Sequence, residues 1–343
     1  MSTGKRQFKI EMILFLCFCL LFAGAVKKSD EQEAESLLVV QYASDSNVTK
    51  TKKGGKVIFT PTPSPVALPS PAKEPLQEEK QDKTIRAAEV IGRRYIMEDL
   101  LNLNYLKENF YIVNATTKMT ADDFDIHYFL DTDLSVEKSE EPQILIYHTH
   151  ASEGFADSRP GVAEDTVLGV GDLLTEILQE KYGYRVLHDE TVFDLKNGAD
   201  NRNYAYNDAL DYLEELLEQY PSIEIVIDLH RDAGEKRVAT INGKPTAKVM
   251  LFNGLCRNIN GELSYLPNKY LKDNLAFSFQ MKVLGDEMYP GLMNRIFLKD
   301  YRYNMHLKER YLLVELGTEK NTVQEAKNAM EPLADVLAQV LGG

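Results

Sequence analysis

The stretch IEIVIDLHRDAG, Ile223 to Gly234, decides how this chain reads. Ile225, Val226, Ile227 and Leu229 make a short apolar run rich in β-branched residues, and Gly234 closes it, as expected of a buried strand. His230, Arg231 and Asp232 stand at its end as a charged trio that is costly to bury without partners. Two other runs have the same form. ILIYHTHASEGF, Ile144 to Phe155, delivers His148 and His150, and YLLVELG, Tyr311 to Gly317, delivers Glu315. Three expected strands therefore carry a metal-binding or proton-transferring side chain at or near the C-terminal end. In open α/β sheets that edge is where ligands bind. The pattern points to a metal-assisted hydrolase, with Zn2+ the first expectation.

The sequence around these runs predicts alternating strands and helices. Strands are expected at Ile144–His148, Tyr184–His188, Ile223–Leu229, Val249–Phe252 and Tyr311–Leu316. Val170, Leu173, Leu174, Ile177 and Leu178 recur at helical spacing, and Gly183 ends that helix. Leu210, Leu213, Leu217 and Tyr220 mark another, stopped by Pro221, and Leu275–Met288 a third. Thr322-Val323-Gln324-Glu325 is a capping box that opens a C-terminal helix through Val340. The expected fold is α/β: a three-layer, largely parallel sheet flanked by helices.

Residues 142–343 would form this catalytic body, and 84–141 a helical extension to it, with one or two helices over Ile85–Tyr111. Residues 29–83 contain TPTPSPVALPSPAKEP, Thr60 to Pro75, a composition that builds no core and behaves as an extended spacer or tether. Residues 1–28 hold Lys5 and Arg6, then an apolar core from Met12 to Val26. That core is short for a membrane span of roughly 20 residues and long for a signal peptide. Anchor and cleaved signal both remain open from the residues, and either exports the rest.

The chain has 343 residues and a net charge of −14, which excludes nucleic acid as the main partner because phosphate backbones need clustered Lys and Arg. It has three cysteines, Cys17, Cys19 and Cys256, with no CxxC pair, so neither a cysteine zinc site nor a disulfide framework is expected. No GxSxG, P-loop or GxGxxG motif occurs, which leaves serine hydrolase and nucleotide-binding readings without support.

His150 and His230 are the candidate metal histidines. Glu153 follows His150 at HxxE spacing, which can place imidazole and carboxylate on one ion. Glu164 and Asp165 precede the helix near Val167 and are further candidates. If the first strand continues to His150, then His148 and His150 face the same side; if it ends at His148, the loop decides, and His148 can orient a neighbour instead. Glu315, flanked by strand hydrophobes, is the candidate general base, since partial burial raises a carboxyl toward a useful range. An ion pair with Arg302 or Arg310 is the structural alternative. Arg231, Asp232, Arg302 and Asn304 are candidates for holding substrate or supporting the site.

YHTHASEGF, VGDLLTEILQEKYGYRVLHDET, YPSIEIVIDLHRDAG and the set MYPGL, RYNMHL and LLVELGTEKNTVQEAKNAM resemble the stage II sporulation protein P family, from about Glu108 to the C-terminus. The resemblance implies an N-acetylmuramoyl-L-alanine amidase-like fold with zinc. It implies peptidoglycan as substrate, with amidase cleavage of the stem peptide and endopeptidase cleavage of cross-links during engulfment in endospore formation. It also implies an uncleaved membrane anchor, an extracytoplasmic body at the sporulation septum, and a complex with sporulation proteins D (a lytic transglycosylase) and M (a membrane protein). By position, His150 and His230 match the metal histidines and Glu315 the catalytic glutamate. For the third ligand, Glu153 stands in the motif itself, and Glu164 stands where related amidases place a helix-start glutamate. Two other functions compete: a non-catalytic wall-binding scaffold, and a zinc carboxypeptidase acting on stem peptides.

Overall fold

The computed structural model describes residues 85–91 and 94–342. The apolar segment Met12–Val26 and the Pro-rich spacer lie outside the described residues. Among the described residues no helix is long and apolar enough to cross a membrane.

The described chain begins with three short helices, α1 (Ala87–Val90), α2 (Met97–Leu100) and α3 (Leu103–Asn109). Strand β1 (Tyr111–Val113) and helix α4 (Ile126–Asp131) follow. Then come β2 (Ile144–Tyr147), α5 (Val167–Glu180) and β3 (Val186–His188). A small hairpin, β4 (Leu195–Lys196) and β5 (Ala199–Asp200), leads into α6 (Ala205–Gln219) and β6 (Ile225–Asp232). A second hairpin, β7 (Val238–Ile241) and β8 (Lys244–Ala247), precedes β9 (Val249–Gly254). A third, β10 (Arg257–Asn258) and β11 (Gly261–Glu262), precedes α7 (Leu271–Met288). Strands β12 (Ile296–Lys299) and β13 (Arg310–Thr318) and helices α8 (Val323–Asn328) and α9 (Met330–Val340) complete it.

Seven strands form one sheet in the order β1-β12-β9-β13-β6-β2-β3. Every neighbouring pair is parallel except β9 and β13. Because β2, β6 and β13 lie side by side and run the same way, their C-terminal ends share one edge. Alternation along each strand builds the layers. Ile144, Ile146, Ile225, Ile227, Leu312 and Val314 pack on one face into a core shared with α5, α7 and α9. Leu145, Tyr147, Val226 and Tyr311 pack on the other face against Ala205, Ala209, Leu213 and Leu216 of α6. The three-layer, largely parallel α/β architecture is as expected.

Several expectations are corrected. The segment 84–141 is not helical throughout: β1 pairs with β12 and forms an edge of the sheet, and Ala87, Val90 and Leu100 are buried in the main core. Three helices occupy its first part instead of one or two. The C-terminal helix is two helices. The expected capping box is present at Thr322, but Pro332 lacks an N–H and its ring crowds the carbonyl four residues back, at Asn328, where α8 stops. Strand β12 gave no clear signal: Ile296-Phe297-Leu298-Lys299 is brief and bounded by charged residues.

Candidate active site at the C-terminal edge of the sheet

Asp228, His230 and Glu315 fall on the α6 face by strand parity, two residues and four residues on from Val226 and Tyr311. Glu315 is the register partner of His230 in the β13–β6 ladder, so acid and imidazole are neighbours by backbone pairing rather than by loop conformation. Strand β2 ends at Tyr147, and a turn over residues 149–152 breaks the parity. His148 therefore points to the α5 face and His150 to the α6 face.

The His150 and His230 rings lie 5.3 Å apart, and Tyr206 of α6 flanks both, edge-on to His150 at 5.7 Å and stacked on His230 at 6.4 Å. His230 Nδ1 is 3.5 Å from Glu153 Oε2, and its Nε2 is 2.7 Å from Asp228 Oδ1. Burial alone would lower the His230 pKa, but the carboxylates of Asp228 and Glu153 overrule it and hold the ring well above the ordinary imidazole range. His150 has no such carboxylate in contact, so burial carries it down to about 3 and leaves it neutral, with Nδ1 buried and without a hydrogen-bond partner.

Glu153 is 2% exposed. It accepts from Arg202 Nη2 at 2.6 Å and from the Arg231 backbone N–H at 3.0 Å. Burial would raise its carboxyl, but His230 and Arg231 hold it well below the usual range. Asp228 has no exposure at all and accepts from Thr149 N–H, Thr149 Oγ1 and Tyr147 Oη. Glu315 is different. Its Oε2 is buried with no hydrogen-bond partner, and burial pushes its pKa up to about 8 against the lowering pull of His230. The expected alternative, an ion pair with Arg302 or Arg310, does not form among the described residues; Arg310 pairs with Glu224.

Two histidines and a carboxylate are the donor set of a hydrolytic zinc site, where His230 would give up its proton to the entering ion. Two donors about 2.05 Å from a tetrahedral ion lie ~3.3 Å apart, and His230 Nδ1 and Glu153 Oε2, at 3.5 Å, match that spacing. His150 stands further off. Among the described residues, the group of three His and carboxylate residues whose donor atoms all lie within 4.8 Å of one another is Asp172, His188 and Glu190.

The profile of "Stage II sporulation protein P (SpoIIP)" matches residues 30–338. The chain belongs to the stage II sporulation protein P family. A curated relative from Bacillus subtilis (strain 168), itself a stage II sporulation protein P, is 28% identical over 214 residues, covering 57% of this chain and 50% of the relative. The chain thus spans about half the length of that relative. Similar solved structures include the N-acetylmuramoyl-L-alanine amidase AmiC2 of Nostoc punctiforme, 14% identical with a TM-score of 0.35 over 59% of this chain and 96% of that one. The CwlD amidase of Clostridioides difficile, solved in complex with the GerS lipoprotein, is 16% identical with a TM-score of 0.37 over 58% of this chain and 96% of its own.

The remaining sequence candidates lie as follows. Glu164 is 73% exposed at its side chain and meets Lys327 at 3.9 Å, apart from the histidines. Arg231 Nε donates to Gly154 O, and Asp232 pairs with Arg237 at 2.6 Å. Asn304, in the left-handed conformation, donates through Nδ2 to the Tyr206 carbonyl at 2.9 Å, so it positions the aromatic wall. Arg302 is half-buried beside His306 and Cys256. His148 donates from Nδ1 to Leu229 O at 2.7 Å, bracing the strand immediately before His230. Sequence reasoning missed Asp228, Tyr206 and Arg202. Asp228 was findable, since it interrupts an apolar run as Glu315 does. Arg202 and Tyr206 left no local signal, because their roles depend on how α6 packs.

Proposed function

We propose that this chain is a zinc-dependent peptidoglycan hydrolase that cleaves the amide between N-acetylmuramic acid and L-alanine, and also peptide cross-links. Family membership supports the substrate class. The observation that carries the chemistry is the pairing of Glu315 with His230 across adjacent parallel strands, with a Glu315 oxygen buried and unpartnered.

In this reading His150, Glu153 and His230 would hold zinc, which when bound would polarise the scissile carbonyl and lower the pKa of water. The protein's own part is positional. Asp228 fixes the orientation of His230, as outer carboxylates do for ligating histidines. Arg202 and the Arg231 N–H hold the Glu153 carboxylate in its ionised form. Glu315, its pKa raised by burial to about 8, takes a proton from the attacking water and returns one to the leaving L-alanine nitrogen. Tyr206 walls one side of the centre. Residues 1–28 anchor the chain, 29–83 tether it, and residues 84–343 act outside the membrane at the sporulation septum, in a complex with sporulation proteins D and M.

The test is the Glu315→Gln variant with intact peptidoglycan. Release of new N-terminal L-alanine falls by about 10²–10⁴-fold while circular dichroism and zinc content stay unchanged. Near-normal release with intact folding would remove Glu315 from the mechanism. A freed single amino acid in place of a stem peptide would favour the carboxypeptidase reading.

A further inference from the structure

We infer that a shelf of aromatic rings, Tyr206, Tyr303, Phe252 and Phe297, seats the glycan strand of the substrate, sugar ring against aromatic ring. The inference rests on the peptidoglycan reading of the site and says which part of that polymer lies where.

The shelf begins at the proposed catalytic centre, where Tyr206 flanks both His150 and His230. Tyr303 meets Tyr206 edge-on with ring centroids 5.4 Å apart, and meets Phe252 edge-on at 4.7 Å. Phe252 lies 5.5 Å from Phe297. Strand register puts these rings on one face. Phe252 of β9 is the partner of Leu313 in β13 and of Phe297 in β12, and Leu313 precedes Glu315 by two residues. Partners across a ladder project to the same side, so Phe252 and Phe297 share the face of Glu315. Phe252 is only 8% exposed and forms the floor. Tyr206, Phe297 and Tyr303 are half-buried. Neither Phe252 nor Phe297 belongs to either core. Large apolar rings outside the core, continuous with a polar centre, are the usual lining of a ligand site.

The loop that carries Tyr303 is held in place against its own preference. Tyr303 and Asn304 both take the left-handed conformation, with φ of 49° and 58°. Such strain persists where the surroundings fix it, and it gathers at ligand-holding positions. Here two contacts fix it. Asn304 Nδ2 donates to the Tyr206 carbonyl at 2.9 Å. Gly254, at the end of β9, leaves room for the loop: a Cβ there would collide with the Tyr301 carbonyl oxygen and lie 2.8 Å from the Tyr303 ring.

The chemistry of the rings selects the occupant. The scissile amide joins a sugar to a peptide, so sugars run on from one side of the centre and peptide from the other. The stem peptide carries carboxylates, which call for cations, and the four rings are uncharged. Arg202 and Arg231 gather about Glu153 instead. Pyranose rings present flat C–H faces that stack on aromatic rings and leave their hydroxyls at the rim, where a tyrosine offers a polar handle.

The test is isothermal titration of the full chain with a peptide-free oligosaccharide of alternating N-acetylglucosamine and N-acetylmuramic acid, and separately with the sugar-free stem peptide. The wild type is expected to bind the oligosaccharide. Phe297→Leu and Tyr303→Leu keep apolar bulk but lose the ring, and each is expected to weaken that binding about 10-fold with an unchanged circular dichroism spectrum. Tyr303→Phe keeps the ring and is expected to bind as the wild type does. With intact peptidoglycan the two leucine variants are expected to raise KM and leave kcat near the wild-type value. Equal oligosaccharide binding by the wild type and both leucine variants overturns the inference, as does a loss confined to the stem peptide. Ring-dependent oligosaccharide binding by a protein that releases no stem peptide supports the shelf while overturning the hydrolase reading. Hydrolysis with ring-independent binding overturns the shelf alone.

Discussion

Glu315 lies between Val314 and Leu316, both packed in the core, and its Oε2 is buried with no hydrogen-bond partner. An unsatisfied buried acid costs stability in a protein with no use for it. Here it lies across the ladder from a histidine already held by two carboxylates. Asp228 makes the complementary case: every contact to it holds it ionised and still. Asp228→Asn is expected to weaken zinc binding about 10–100-fold, the usual scale for removing the carboxylate behind a ligating histidine. Isothermal titration with zinc chloride checks this, and unchanged affinity would separate Asp228 from the centre. At this scale the sequence made visible the titratable side chains in or just after apolar runs, His150, His230 and Glu315, that the fold brings to one edge. It was not legible at Arg202, because a guanidinium from a loop before α6 becomes a partner of Glu153 only after the third layer has packed.

Two elements show how local sequence fixes larger geometry. Helix α5 carries Gly171 in its interior, where glycine costs about 1 kcal/mol relative to alanine. It is tolerated because His148 and His188 occupy the space a side chain would fill. Gly171→Ala is expected to lower stability by about 1–3 kcal/mol despite the better helix propensity, as overpacking does. Urea unfolding reads this, and a stabilised variant would show that the histidine pair moves aside without cost. Helix α8 is only six residues long and begins with reciprocal bonds between Thr322 and Glu325. Thr322→Ala is expected to cost about 1 kcal/mol by the same measurement. Strand positions were read within a few residues because apolar runs bounded by glycine or charge leave a clear mark. Strand β12 and the break before α9 were not. The first is too short to show a period, and the second turns on one proline inside an otherwise continuous apolar pattern.

Across the whole molecule, the α/β class and the edge that carries the candidate site followed from the order of elements. Parallel neighbours must send their C-terminal ends the same way. The single antiparallel pair, β9 with β13, was not visible in sequence, because strand direction is set by the connections, which reverse the chain between β6 and β9 and again between β12 and β13, and not by composition. Nor was the contribution of residues 111–113 to the sheet edge. The central claim is that this edge is a zinc amidase centre. The most direct test incubates the full chain with purified peptidoglycan, with chelator, without it, and with zinc restored, and identifies soluble products by mass spectrometry. The account predicts intact stem peptides with free N-terminal L-alanine, lost on chelation and recovered with zinc. Stem peptides released equally in the presence of chelator, or no products from a zinc-loaded protein, would contradict it.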